Sequence, residues 1–201
     1  GAEMSAVATS HPDRVAGLVY IDAAYPYAFE GVNGPSMKDF QINGPRAPRP
    51  SVADLVSFGS LQKWDAEVYG YRTPESEFRQ TWESDTSDRP RKERDFPGAQ
   101  AFMAIMSSTN RFTTIPVPAV AIFASPHIPE NWIAKSTNPA VREAASAYYT
   151  AIDASTEKQT RALEAGVPAA RVIRLAGAHY LFLSNESDTL RDMRAFIASL
   201  K

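Results

Sequence analysis

Arg14-Val15-Ala16-Gly17-Leu18-Val19-Tyr20-Ile21-Asp22 is the stretch on which the fold turns: an almost unbroken apolar run closed by a carboxylate. A run with no in–out alternation, flanked by helical patterns, fits a strand buried on both faces of a parallel sheet. Upstream, residues 2–10 are Ala-rich with Met4 and Val7, read as a buried small-residue helix, and stop at His11-Pro12. Downstream, 116–123 (Pro-Val-Pro-Ala-Val-Ala-Ile-Phe) reads as a second buried strand and 171–175 as a third. Between those two, Asn138-Pro139 opens a helix with proline at its first position. Val141, Ala145, Tyr148 and Ile152 follow at helical spacing, and Gly166 stands at its end. A last helix starts near Glu186, capped by Ser184 or Asn185, with Leu190, Met193, Ile197 and Leu200 on one face. Strand and helix thus alternate, which predicts an α/β architecture with parallel sheet strands and flanking helices.

Residues 25–115 break that alternation. Gly31, Gly34, Pro35, Gly44, Pro45, Pro48 and Pro50 mark a loop-rich stretch, followed by helical patches at 52–61, 74–82 and 99–108. A polar segment, 83–96, separates the last two patches. The expected organisation is core at 1–24, a mostly helical insertion at 25–115, and core again at 116–201. Aromatic residues of the insertion (Phe58, Trp64, Tyr69, Tyr71, Phe78, Trp82) either line a pocket or form the insertion's own core; the second is the commoner outcome. No internal repeat is visible.

Composition narrows the function. The 201 residues are 44% hydrophobic and 22% charged with a formal net charge of −2, so no global field gathers nucleic acid or an anionic membrane. Basic residues at 89–92, Arg111 and Arg191/Arg194 are interspersed with acids and read as solvated faces. The absence of cysteine excludes disulfides, thiol catalysis and cysteine-ligated metals. No apolar run reaches the roughly 18–20 residues of a membrane span, and no secretory leader pattern is seen. Three scattered histidines show no metal-ligand spacing, and phosphate-loop and dinucleotide motifs are missing, so no metal or cofactor is expected.

His179 is the most informative polar residue. It follows a predicted strand in Leu175-Ala176-Gly177-Ala178-His179, at the carboxyl edge where open α/β sheets build their sites, and Gly177 allows a sharp turn. A neutral imidazole there takes a proton from a nucleophile and returns it to a leaving group; the competing role is a packing or capping residue. Asp22 ends another strand, where a carboxylate either orients an imidazole or caps a turn. His127, in Ser125-Pro126-His127, is a weaker candidate that would meet substrate or solvent, and His11 reads as a surface residue. No Gly-x-Ser-x-Gly occurs; Phe58-Gly59-Ser60-Leu61 imitates it without the preceding strand.

The 1–8 segment with His11-Pro12-Asp13-Arg14-Val15-Ala16-Gly17-Leu18-Val19 resembles the α/β-hydrolase family just after its nucleophile elbow, and Gly177-Ala178-His179 resembles that family's terminal histidine loop. The resemblance spans nearly the whole chain. It implies a partial α/β-hydrolase fold with strands six to eight, residues 25–115 as a lid, His179 as base, and a nucleophile preceding Gly1. The family's usual acid position after the seventh strand holds His127; some members, including relatives of haloalkane dehalogenases, place the acid at the end of the sixth strand, which is Asp22 here. The resemblance implies ester or similar hydrolysis without a cofactor, with this chain inactive alone; the aromatic content of the lid suggests a small, partly apolar substrate. A serine nucleophile would mean esterase, lipase or amidase chemistry and an aspartate dehalogenase or epoxide hydrolase chemistry; the opening helix looks more like the serine branch. The alternative is a non-catalytic binding or partner-docking module. The 15–21 run, unguarded by charge or bulge, speaks for truncation over that alternative.

Overall fold

Leu18–Ile21 forms the first strand, β1, and pairs in parallel with β4, Ala119–His127. β4 in turn pairs in parallel with β5, Ala170–Gly177, giving a three-stranded sheet in the order β1-β4-β5. The architecture, a computed structural model describing residues 1–23, 43–95, 98–106 and 114–200, is therefore α/β with a parallel sheet flanked by helices. Gly31, Gly34, Pro35, Arg111 and the 107–108 end of the third helical patch lie outside the described residues.

The central strand explains why its sequence is so apolar. Ala119 to Ala124 on β4 are all at most 3% exposed, since both edges are paired and both faces covered. One face packs on Leu18, Tyr20, Leu163 and Val167, the other on Leu181 and Phe196. β1 is only half of this kind: Leu18 and Tyr20 are buried, Val19 and Ile21 partly so. The helix α1, Ala2–Ser10, buries only Ser5 and Ala8, and Val7 is exposed, so the expectation of a buried helix holds for one narrow stripe. That stripe is anchored by the buried Ser5 Oγ to Tyr20 Oη bond at 2.8 Å.

The chain divides into two compact units. The first comprises Gly1–Gly44, Thr109–Ile128 and Ser146–Lys201; the second comprises Pro45–Ser108 and Pro129–Ala145. The second unit contains α2 (Phe58–Tyr69), α3 (Glu75–Thr81) and α4 (Ala99–Met106), with the short α5 (Asn131–Ala134). It also contains an antiparallel pair, β2 (Trp82–Ser84) and β3 (Pro90–Glu93), where the sequence reads as a polar connector. Trp82 thus sits on a strand, not on the helix of Phe78. The reason lies in Asp85, whose carboxylate accepts the N–H groups of Ser87 and Arg89 and folds the hairpin turn.

The helix 52–61 also moves in register: 52–56 form turns and α2 starts after Ser57, whose Oγ accepts the Ser60 N–H at 3.0 Å. Gly70, at φ 92°, ends α2 in the left-handed conformation that favours glycine. Phe58, Leu61 and Phe78 form this unit's buried core with Trp64 and Trp82 packed against it, so these aromatics serve the unit itself.

Asp65, buried in α2, accepts the Thr73 hydroxyl at 2.8 Å. Burial pushes its carboxyl above the ordinary range, against the smaller opposing effect of that bond. A raised folded value means the ionised form is penalised: stability is fully present below the unfolded value of 3.8 and declines as pH rises through the folded one. Asp65→Asn keeps an acceptor for Thr73 and removes the ionisation. It is expected to raise the melting temperature at pH 7, with the gain shrinking in melts at lower pH; equal gains at both pH values would contradict this account.

The long helix α6 is Pro139–Gly166; Asn138 Oδ1 accepts the Ala140 N–H at 3.0 Å, and in the first unit Leu163 of this helix packs in the core under the sheet. After β5 come α7 (Leu181–Ser184) and α8 (Glu186–Ser199). The buried residues of α8 are Thr189, Asp192 and Phe196; of the stripe expected from Leu190, Met193, Ile197 and Leu200, Met193 and Leu200 pack against the core, Leu190 is half-buried and Ile197 is 55% exposed. Asp192 turns inward because Arg191 and Arg171 approach its carboxylate, a pairing invisible to a hydrophobic pattern.

Gly177 matters through close approach, not through a left-handed backbone. A Cβ there would fall within van der Waals contact of Asn185 Oδ1 and 2.7 Å from Leu181 Cδ2, and Leu181 is fully buried. Gly177→Ala is expected to cost about 1–3 kcal/mol of unfolding free energy, the range for overpacking a filled core. Chemical denaturation of the variant would measure it, and a loss below about 0.5 kcal/mol would contradict it.

Candidate functional site

The first unit gathers Asp22, His127, Asp153 and His179 at the carboxyl ends of its strands. Each is placed by backbone geometry. The N–H of Asp22 donates to Ile122 O at 2.7 Å, continuing the β1–β4 ladder by one residue. The chain then turns with Asp22 at φ 43°, a conformation that aspartate tolerates better than most residues. This turn carries the carboxylate back over β4, where Oδ1 accepts the Ala124 N–H at 3.0 Å. Gln159 of α6 donates to Ala23 O at 3.3 Å and braces the next residue.

His179 stands two residues beyond β5. Its loop is pinned by three bonds: Ala178 N–H to Ser184 Oγ, Leu181 N–H to His179 O, and Asn185 Nδ2 to Ala176 O. Asn185 and Ser184 therefore hold the histidine loop; neither caps α8 through its side chain. His179 Nδ1 lies 2.7 Å from Asp22 Oδ2. An ionised carboxylate only accepts, so Nδ1 carries the proton and Nε2 presents its lone pair. The ring is 63% exposed, and Nε2 makes no hydrogen bond among the described residues. Tyr180 and Phe182, each about half exposed, extend an aromatic row from the imidazole, with centroid spacings of 5.1 and 5.7 Å.

His127 lies elsewhere than the sequence suggests. β4 continues through Ser125-Pro126 to His127, which pairs with Gly177, so the ring is buried between the sheet end and α6 and does not meet solvent. Its N–H and its Nδ1 both reach Asp153 Oδ1, at 2.9 and 2.7 Å. Its Nε2 faces Asp22 Oδ2 at 3.8 Å, an ion-pair distance beyond hydrogen bonding. Asp153 was not singled out from the sequence. The signal was its place beside Ile152, one step off the apolar stripe of α6, where an acid needs a partner.

Electrostatics follow from these contacts. Burial pushes the Asp22 carboxyl up, but His127, His179 and the Ala124 N–H together hold it below the ordinary carboxylate range. Burial pulls the His127 imidazole down, and the carboxylates of Asp22 and Asp153 outweigh it, leaving His127 above the ordinary histidine value. Asp22 is thus ionised at neutral pH and aligned on His179. The described residues contain no group of three or more ligating side chains placed to hold a metal ion.

No protein-family model and no curated protein matches this chain. Among solved structures it is similar to a thioesterase domain from the curacin biosynthetic pathway, at 14% identity and a TM-score of 0.42. That match covers 97% of this chain and 62% of the other, so the chain spans about three-fifths of that domain's length. No helix among the described residues is long and apolar enough to cross a membrane.

Proposed function

We propose that Asp22 and His179 are the acid and the general base of a nucleophile–histidine–acid triad in an α/β-hydrolase-type enzyme that cleaves an ester or a related bond. The observation that carries this reading is the 2.7 Å contact of His179 Nδ1 with a carboxylate whose other oxygen is tied to the Ala124 backbone. That arrangement selects the Nδ1–H tautomer, leaves Nε2 exposed as a base, and stabilises the imidazolium formed when it takes a proton. The positions of both residues at the carboxyl ends of β1 and β5, the two strands that flank β4 in one parallel sheet, and the resemblance carried by 1–19 and 177–179, support it.

In this reading a serine ahead of Gly1 in the intact protein attacks the acyl carbon. His179 Nε2 takes the hydroxyl proton and gives it to the leaving alkoxide, and water then releases the acyl group by the same steps. In this reading the substrate is small and partly apolar, and the 201-residue chain alone does not turn over.

A fluorophosphonate probe, which phosphonylates serines activated by a histidine, tests the assignment in the intact protein. One modified serine, located by mass spectrometry and unmodified in His179→Ala, is expected. Equal labelling of both proteins, or none of either, would rule out a serine triad. In the second case the non-catalytic module becomes the better reading.

A further inference from the structure

The proposed triad does not use His127 or Asp153, yet both are tied into it. Asp153 Oδ1 accepts twice from His127, from the backbone N–H at 2.9 Å and from the ring Nδ1 at 2.7 Å. An ionised carboxylate has no proton to give, so Nδ1 carries one. The other ring nitrogen faces Asp22 Oδ2, the oxygen that also accepts from His179 Nδ1–H. A lone pair on Nε2 would set two acceptors against each other with the His127 side chain only 6% exposed and that of Asp22 only 8%. A proton on Nε2 sets opposite charges together instead. The doubly protonated ring is the form that turns positive charge toward both carboxylates.

We propose that His127, clamped by Asp153, is a positioning residue for the Asp22–His179 pair: a buried imidazolium that bridges two carboxylates and holds Asp22 in place. Among the described residues the charged groups facing its ring are Asp22 from the end of β1 and Asp153 from α6, with His179 beyond Asp22. The balance of those two carboxylates over burial, which lifts His127 above the ordinary histidine value, agrees with it. The bridge has a consequence for catalysis. With it, one fixed cation lies between two neighbouring carboxylates and holds Asp22 where it meets His179 Nδ1; without it, the two carboxylates repel and Asp22 loses that brace. His127 does not meet the reacting atoms and acts through Asp22.

The kinetic part rests on the hydrolase reading, so the test begins with a measurement that does not need turnover. Side-chain nitrogen NMR of the intact protein, labelled with ¹⁵N-histidine and assigned by loss of signal in His127→Gln, reports both ring nitrogens. At pH 6.5 an ordinary histidine is about half protonated. His127 is expected to be predominantly doubly protonated there, and to titrate at lower pH in Asp153→Asn, which keeps the shape and the acceptor but not the charge. A ring nitrogen left mainly unprotonated at pH 6.5, or a midpoint unmoved in Asp153→Asn, would overturn the bridge. In steady-state hydrolysis, His127→Gln is expected to lower kcat about tenfold with KM nearly unchanged. A kcat within about twofold of the parent, or a KM that changes as much as kcat, overturns the positioning role. The expected NMR result in a protein that hydrolyses nothing supports the bridge and removes the hydrolase reading alone.

Discussion

Replacing His179 with alanine in the intact protein is expected to lower kcat/KM for a short acyl ester by roughly 10⁴- to 10⁶-fold. At about 1.36 kcal/mol per decade, that is a loss of about 5–8 kcal/mol of transition-state stabilisation. The size follows from the role. Nε2 is the lone pair that accepts the nucleophile's proton, and alanine leaves no base in its place. Little else should change, because the side chain is 63% exposed and, among the described residues, its hydrogen bond goes to Asp22. The loop is held by backbone and by Ser184 and Asn185, so the variant should fold. Circular dichroism and a melt would confirm that. A kcat/KM within tenfold of the parent would remove His179 from the mechanism.

Asp22→Asn should cost nearly as much in kcat, about 10⁴-fold, for a reason specific to this site. Both oxygens of Asp22 accept: Oδ1 takes the Ala124 N–H and Oδ2 takes the His179 Nδ1–H. An amide has one acceptor and one donor end, so it necessarily turns an NH₂ group against one of these donors. If NH₂ meets His179, the ring moves its proton to Nε2 and the base is lost. If it meets Ala124, the backbone N–H is left unpaired in a largely buried place, and the turn at φ 43° loses its anchor. Stability should therefore change with a defined sign. The depressed Asp22 carboxyl contributes stability above its unfolded value of 3.8 and loses it as pH falls through the folded value. The melting-temperature gap between parent and Asp22→Asn should be widest near neutral pH and close in acid. A kcat loss with a gap independent of pH would mean that the carboxylate is not held as described.

These two residues are 157 positions apart, and their meeting depends on strand order. β1 lies beside β4, not β5, so Asp22 reaches His179 across the end of the central strand. The left-handed turn after Ile21 and the Ala124 N–H steer it there. The same end of β4 carries His127, and the histidine's position against α6 follows from the strand running on past Ala124.

What the sequence alone determined is local. Unbroken apolar runs marked the central strand, because a strand covered on both faces has no polar position to spare. Proline and glycine marked the start and end of α6, because φ restriction and chain reversal need only neighbouring residues. The same locality placed Asp22 and His179 at strand ends. Tertiary structure decided the rest: the inward place of Asp192 on α8, beside Arg191 and Arg171; the hairpin of β2 and β3, set by an aspartate turn; and the joining of Asp153 to His127. An ion pair made across the fold leaves no period in the chain, since its partners are brought together by packing and not by spacing.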